Sequence, residues 1–289
     1  MTGASGGIGR ATALLLARRG HTVYAAMRRP ATDELLRQAG CHVLRLDVTD
    51  PESATAAVGQ VHAEHGTIDV LVNNAGHSQV GPVEEATDER LAVQFATNFT
   101  GAVRLTRLVL PQMRQAGRGR IVMVGSVFGR LTLPMFGLYS ASKHALEGLT
   151  DALRMEVAPW GVEVALVQPA FVRTGLIRTL LTQLAHERAA RPSGPYAADL
   201  ARLHDNIEAI AGRFGMPCSA AGPAPPLMAA IAALAVPPER VADVIARAAT
   251  AARPRARYRV AGAARMMLAA RALAGDRSWD RLARAVFLR

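Results

Sequence analysis

Thr2-Gly3-Ala4-Ser5-Gly6-Gly7-Ile8-Gly9, running into Arg10-Ala11-Thr12-Ala13-Leu14-Leu15-Leu16-Ala17-Arg18-Arg19, carries more architectural information than any other stretch of the chain. A glycine string opens a helical segment, Ile8–Arg19, and an apolar run, Thr22–Met27, follows. Gly3 suits a tight turn, Gly7 lets the backbone approach a pyrophosphate, and Gly9 lets helix and strand pack closely. Anionic phosphates then meet the positive N-terminal end of the helix, with Ser5 and Ile8 among the candidate contacts. Alone the string is weak evidence, because any strand-to-helix turn uses glycines.

The rest of the chain keeps the alternation that the loop begins. Short Val/Ile/Leu-rich runs predict strands at Thr22–Met27, His42–Leu46, Ile68–Val72, Arg120–Val124, Val162–Val167 and Arg257–Val260. Between them the period predicts helices at Ile8–Arg19, Pro51–His65, Arg90–Gln115, Ser140–Ala158 and Pro238–Thr250. Stacked βαβ units of this kind predict an α/β fold, a doubly wound, Rossmann-like parallel sheet. The rhythm breaks over residues 176–236, where Pro192, Pro195, Pro217, Pro223, Pro225 and Pro226 punctuate helical pieces. That insertion is expected to form a substrate lid. We expect residues 1–262 to form one domain with this lid, and residues 263–289 a helical extension with segments at Ala263–Leu273 and Trp279–Phe287.

A phosphate loop needs a strand to feed it, and here the loop starts at residue 2, with Met1 in the place of that strand's last residue. The first strand is therefore expected to be truncated. A late start accounts for this: a valine codon, GTG, read as the initiator Met, with several more apolar residues upstream. An intact mass from the native organism that matched the present sequence would contradict it. A sheet without that strand is expected to be poorly stable.

With 289 residues, half of them apolar, the chain can bury a sizeable core. Cys41 and Cys218 flank no Cys/His cluster, which argues against a disulfide framework or a structural zinc site and fits a reducing cytoplasm. His62 and His65 lack the spacing of four and the partner ligand that zinc needs. No window reaches the roughly 18 apolar residues that span a bilayer, and Pro226–Pro237 is too short. The net charge of +11 comes from arginines spread from Arg10 to Arg289, without aromatic interleaving, so no nucleic-acid partner is expected. The basic stretch Arg253–Arg289 leaves weak contact with an anionic membrane surface, or an acidic ligand, as a further expectation.

At the end of Thr22–Met27, the second strand once the truncated one is counted, where an acid would bind an adenosine ribose diol, stands Met27-Arg28-Arg29. Two guanidiniums and no carboxylate match a 2′-phosphate, so NADP(H) is expected rather than NAD(H). Asp47-Val48 is placed to meet the adenine, and Asn73-Asn74-Ala75-Gly76 ends a strand beside the cofactor. A buried Asn there can equally be structural, bridging two strands.

Tyr139-Ser140-Ala141-Ser142-Lys143 opens a helix, and the spacing of four puts phenol and ammonium on one face. A neighbouring cation is expected to lower the phenol's pKa from about 10, so that Tyr139 can exchange a proton with a substrate oxygen. Ser126 follows a strand and can bond the same oxygen. Asn98, inside an otherwise apolar helix, is expected to bond a backbone carbonyl or water. Lys143 is the only lysine in the chain. A compact ammonium that also reaches a ribose hydroxyl is not replaced by a planar guanidinium, so this exception favours a functional role.

In order and spacing, the glycine loop, Asn73-Asn74-Ala75-Gly76, Asn98, Ser126 and the Tyr139-to-Lys143 pair resemble the short-chain dehydrogenase/reductase family over Thr2 to Val260. The resemblance implies Tyr139 as general acid/base and Ser126 as stabiliser of the substrate oxygen. It implies that Lys143 holds the nicotinamide ribose and tunes the tyrosine, and that Asn98 anchors a water in a proton relay. Pro169-Ala170-Phe171-Val172-Arg173-Thr174 is similar to the family's Pro-Gly segment, with Pro169 and Val172 at the cofactor and Thr174 near the carboxamide. Ala170 replaces the usual glycine. The long insertion and C-terminal helices look most like the retinol- and hydroxysteroid-dehydrogenase-like members.

These readings predict an oxidoreductase that passes hydride between nicotinamide and a lipophilic alcohol or carbonyl. Leu131, Leu133, Met135, Phe136, Phe171, Leu176 and Ile177 are the expected apolar pocket. A dinucleotide-binding redox sensor without catalysis is the alternative, but it has no need of the tyrosine, serine and lysine. Gly125-Ser126-Val127 lacks the frame of a hydrolase's nucleophile elbow. His77 lines the pocket or is merely a loop residue. Apolar residues on more than one face of Arg90–Gln115 and Ser140–Ala158 predict a homodimer or homotetramer.

Overall fold

The computed structural model describes residues 1–30, 34–216, 230, 232–287. Six short strands, β1 (Tyr24–Met27), β2 (His42–Arg45), β3 (Val70–Asn73), β4 (Gly119–Val124), β5 (Val162–Gln168) and β6 (Arg257–Arg259), are all parallel to their neighbours. They form two sheets, β2-β1 and β3-β4-β5-β6. The segment Met1–Ala4 joins them. Ala26 N–H donates to Met1 O (2.9 Å), Ala4 N–H donates to Ala26 O (3.1 Å), and Thr2 N–H donates to Val72 O (3.0 Å). One bridging residue, Thr2 against Ala26, thus stands where the sequence lacks its first strand.

Period-2 alternation sorts the strand side chains onto two faces. Leu71, Ile121, Met123, Val164 and Leu166 pack with helices α3 (Pro51–His65), α5 (Gly101–Ala116) and α6 (Gly137–Val157). Their neighbours Val72, Val122, Val124, Ala165 and Val167 pack with Val241, Val244 and Ile245 of α9 (Pro238–Thr250). Helix α1 (Gly7–Arg18) lies against α9 on that face. This is the expected doubly wound architecture.

The expected helix Arg90–Gln115 is not continuous. Helix α4 (Asp88–Phe95) passes through a π turn, Ala96–Thr100, before α5 begins. A π turn carries one residue more than an α turn. Here it brings the Asn98 amide inward, onto the backbone of the loop after β3. A further short helix, α2 (Glu34–Gln38), was not expected.

The insertion supplies α7 (Leu176–Ala190) and α8 (Ala197–Arg213), packed on each other, and α10 (Ala261–Leu273) and α11 (Asp276–Phe287) close the chain. Leu180, Leu184, Leu200 and Leu203 share one apolar cluster with Phe128, Leu131, Phe136, Leu268 and Trp279. The described helices of the insertion and the C-terminal helices therefore share one apolar core. Pro192 and Pro195 lie between α7 and α8, while Pro217, Cys218, Pro223, Pro225, Pro226 and Arg289 lie outside the described residues. No helix among the described residues is long and apolar enough to cross a membrane.

Candidate active site

A cleft of about 650 Å³ runs along the carboxyl ends of the strands. Parallel sheets place ligand sites there because each strand ends in a loop feeding a helix, so many backbone groups converge. The loop before α1 forms one end. Gly3 has φ 66°, and a Cβ there would sit 2.9 Å from Ala75 Cα. At Gly9 a Cβ would collide with the Gly3 carbonyl oxygen and lie 2.8 Å from Asn74 Nδ2. These contacts form a backbone cradle that added side chains would fill. It is the fit that a pyrophosphate at a helix N-terminus requires.

Thr2 and Asn74 hold this loop to the end of β3. Thr2 Oγ accepts from Asn74 N–H and from Ala75 N–H, both at 2.9 Å. The Asn74 amide donates to the Thr2 carbonyl at 3.0 Å. Asn73 donates to Thr106 Oγ at 3.3 Å and so ties β3 to α5. Both asparagines have structural work, and Asn74 also lines the cleft.

The cleft brings together Gly3, Ser5, Gly7, Ile8, Gly9, Arg28, Asp47, Val48, Asn74, Ala75, Gly76, Ser126, Tyr139, Lys143, Pro169, Val172 and Thr174. Two candidates lie outside its lining. Arg29 is exposed and is not part of the lining. Arg28 alone of the pair therefore faces the cleft. It acts on Asp47, whose burial opposes ionisation; hydrogen bonds from Thr49 and the Arg28 charge nevertheless hold that carboxyl below its ordinary range.

Asn98 is buried behind the wall. Its amide accepts from His77 N–H (3.0 Å) and donates to His77 O (3.0 Å) and Ser142 Oγ (3.1 Å). Ser142 in turn donates to the Tyr139 carbonyl (2.7 Å). Asn98 thus fixes the loop after β3 relative to the Tyr139 helix. The expected bond to a backbone carbonyl is present.

Tyr139 lies in the first turn of α6, packed edge-on to Phe128 with ring centroids 5.6 Å apart. Its hydroxyl is hydrogen-bonded to Ser126, the residue that follows β4. Lys143, one turn on, donates from Nζ to Val124 O at 3.0 Å. That Nζ lies 5.9 Å from the Tyr139 ring centroid. The expected lowering of the phenol pKa does not occur here. Burial pushes Tyr139 above its ordinary value and outweighs the bond from Ser126, while burial pulls Lys143 down to about 8. Both groups lose water, and the ammonium is aimed at a carbonyl rather than at the phenol.

The sequence reading left several lining residues unassigned: Val93, Thr97, Gly125, Ala170, Thr179 and Gln183. Among them Thr179 and Gln183, with Leu176, follow i, i+3, i+7 spacing and form the cleft-facing stripe of α7. A polar pair within a helix that otherwise packs leucines inward was the available signal. His77 also lines the cleft, and its pKa is lowered by burial and by the charges of Arg28 and Lys143.

Residues 1–185 match the model of the family described as short chain dehydrogenase. The chain belongs to the short-chain dehydrogenase family. Its fold is the Rossmann-like fold of that family. This short-chain dehydrogenase is 30% identical to the NADPH-dependent 3-dehydrocapnine reductase of Ornithobacterium rhinotracheale, over 98% of this chain and 94% of the relative. It is 43% identical to 3-ketodihydrosphingosine reductase of Bacteroides thetaiotaomicron over 61% of this chain. That match spans 64% of the relative's length, less than two thirds. A solved short-chain dehydrogenase from Streptomyces avermitilis superposes with a TM-score of 0.70 at 32% identity, covering 93% of this chain and 89% of that one.

Proposed function

We propose that this chain reduces a lipophilic ketone with NADPH, with Tyr139 delivering the proton. The observation that carries this reading is the convergence of Ser126, Tyr139 and Lys143 in one cleft with the glycine cradle. When bound, the nicotinamide supplies or accepts the hydride. Tyr139 and Ser126, already hydrogen-bonded to each other, hold the carbonyl oxygen, and the phenol passes its proton to that oxygen as the carbonyl carbon is reduced. Lys143, anchored on the Val124 carbonyl, binds ribose hydroxyls. Asn98 keeps the two walls in register and anchors a water in the proton path.

NADP(H) is supported by Arg28 at the cleft and by the NADPH dependence in the name of the relative from Ornithobacterium rhinotracheale. Gly3, Ser5, Gly7, Ile8 and Gly9 hold the pyrophosphate, Arg28 the 2′-phosphate, Asp47 and Val48 the adenine side. Asn74, Ala75, Gly76, Pro169, Val172 and Thr174 hold the nicotinamide half. The ketone class rests on the apolar cluster at the lid and on two relatives named as reductases of keto compounds. Residues 1–262 form the enzyme with its lid at 176–236, and residues 263–289 extend it. Exposed Leu91 and Met155 support a homo-oligomer, which light scattering tests.

The test is ketone-dependent oxidation of NADPH, followed by nicotinamide absorbance, with NADH in parallel. Tyr139→Phe lowers kcat by about 10²- to 10⁴-fold with nucleotide affinity unchanged. Full turnover in that variant contradicts the assignment.

A further inference from the structure

Two polar atoms on residues lining the cleft are buried without a hydrogen-bond partner among the described residues: His77 Nε2 and Gln183 Oε1. A buried acceptor left unpaired is costly, and on a residue that lines a cleft a bound ligand is one way to complete it. The two atoms belong to different parts of the cleft. His77 follows the Asn74-Ala75-Gly76 turn, and its titration feels both Arg28 and Lys143, which places it along the cofactor side. Gln183 belongs to the lid, two turns after Leu176 on the stripe Leu176, Thr179, Gln183.

Among the described residues, the neighbours of Gln183 offer its acceptor no donor. One turn further along α7, Glu187 is saturated by Arg90 Nη1 at 2.8 Å and by Arg191. Arg90 also donates to Gln79 Oε1 (3.2 Å) and Val80 O (2.7 Å). Thr179 is engaged as a donor with Gly175 O at 3.3 Å, so it has no proton to give Gln183. On the other faces of α7, Leu180 and Leu184 belong to the apolar lid cluster. Among the described residues of α7, Gln183 Oε1 is the one buried side-chain acceptor without a partner, on a residue that lines the cleft.

We infer that Gln183 is a specificity residue whose Oε1 accepts a hydrogen bond from a hydroxyl or ammonium group carried by the substrate close to its reacting carbonyl. The substrate would then be a lipophilic ketone with one polar donor, rather than a plain aliphatic ketone. The inference rests on the proposed function, since the donor is defined relative to the ketone at Tyr139. Sites built to bond a substrate donor discriminate strongly against analogues lacking it, because the site's own polar group is left unpaired.

The experiment compares kcat/KM, with NADPH as reductant, for three aliphatic ketones of equal chain length bearing an amine, a hydroxyl or hydrogen on the neighbouring carbon. Wild type is expected to favour the donor-bearing ketones by at least about tenfold over the plain one. The same preference in both arms indicates recognition of a shared donor, and a larger preference for the amine identifies ammonium. Gln183→Leu is expected to bring the three within about threefold, at unchanged NADPH affinity, and Gln183→Glu to restore preference for the amine alone. NADPH titration of each variant reports folding independently of turnover. Equal rates on all three ketones in wild type, or an intact preference in Gln183→Leu, overturn this inference and leave the proposed function standing. Absence of turnover on all three overturns both.

Discussion

At the glycine-loop end of the cleft the walls are backbone, with Gly3 and Gly9 packed against the Asn74-Ala75 turn and the Thr2 hydroxyl clipping the two together. At the lid end the walls are side chains: Leu176, Thr179 and Gln183 of α7 above the apolar cluster of Phe128, Leu131 and Phe136. A backbone wall has one shape that every sequence of the fold must respect, and a single methyl group violates it. A side-chain wall is re-cut by each substitution. In the proposed function the first binds a part common to all nicotinamide dinucleotides, and the second meets whatever substrate a particular enzyme uses.

Gly9→Ala breaks the backbone wall. Its Cβ has no space against the Gly3 carbonyl, and an overpacking cost of ~1–3 kcal/mol predicts a loss of nucleotide affinity of about 10- to 100-fold. Fluorescence titration measures it, and wild-type affinity would show that the loop is not the dinucleotide cradle. Leu176→Ala touches the other wall. Exposed by 37%, this side chain is expected to change KM for a ketone by a few-fold, with nucleotide affinity untouched. A change in nucleotide affinity as large as that of Gly9→Ala would erase the distinction between the two ends.

A smaller effect concerns the junction of the walls. Burial brings Lys143 from 10.5 to about 8, so between those values the unfolded chain holds a proton that the folded chain has released. The stability of the ligand-free protein therefore rises with pH across that window. Above pH 10 the raised pKa of Tyr139 acts in the opposite direction, because the unfolded phenol ionises first. Between pH 8 and pH 10 the melting temperature of wild type should gain on that of Lys143→Met. A constant gap would show that Lys143 keeps its ordinary pKa in the fold.

What the sequence revealed follows the same division. The glycine loop, the Tyr139–Lys143 pair and Ser126 were legible because each depends on spacing within one element or on a turn at a strand end. All six strands emerged to within two residues at each end for the same reason, since alternation is local. Arg28 and Arg29 could not be separated, because the side a residue takes depends on where β1 ends. The π turn at Asn98 was hidden, as it arises from tertiary bonds to His77 rather than from a local sequence preference. The phenol pKa was read with the wrong sign because spacing reveals a neighbouring charge but not the loss of water around both groups. Gln183 was passed over because the register of α7 over the cleft is set by packing between distant segments.

The measurement closest to the central claim is titration of wild type and Arg28→Ala with NADPH and with NADH, following nicotinamide fluorescence. Loss of a charge-assisted bond is worth ~1.5–3 kcal/mol. The account therefore predicts tighter binding of NADPH than NADH by wild type, and an Arg28→Ala variant about 10- to 100-fold weaker for NADPH while NADH is little changed. Equal affinity for the two nucleotides in wild type, or binding of neither, would contradict it.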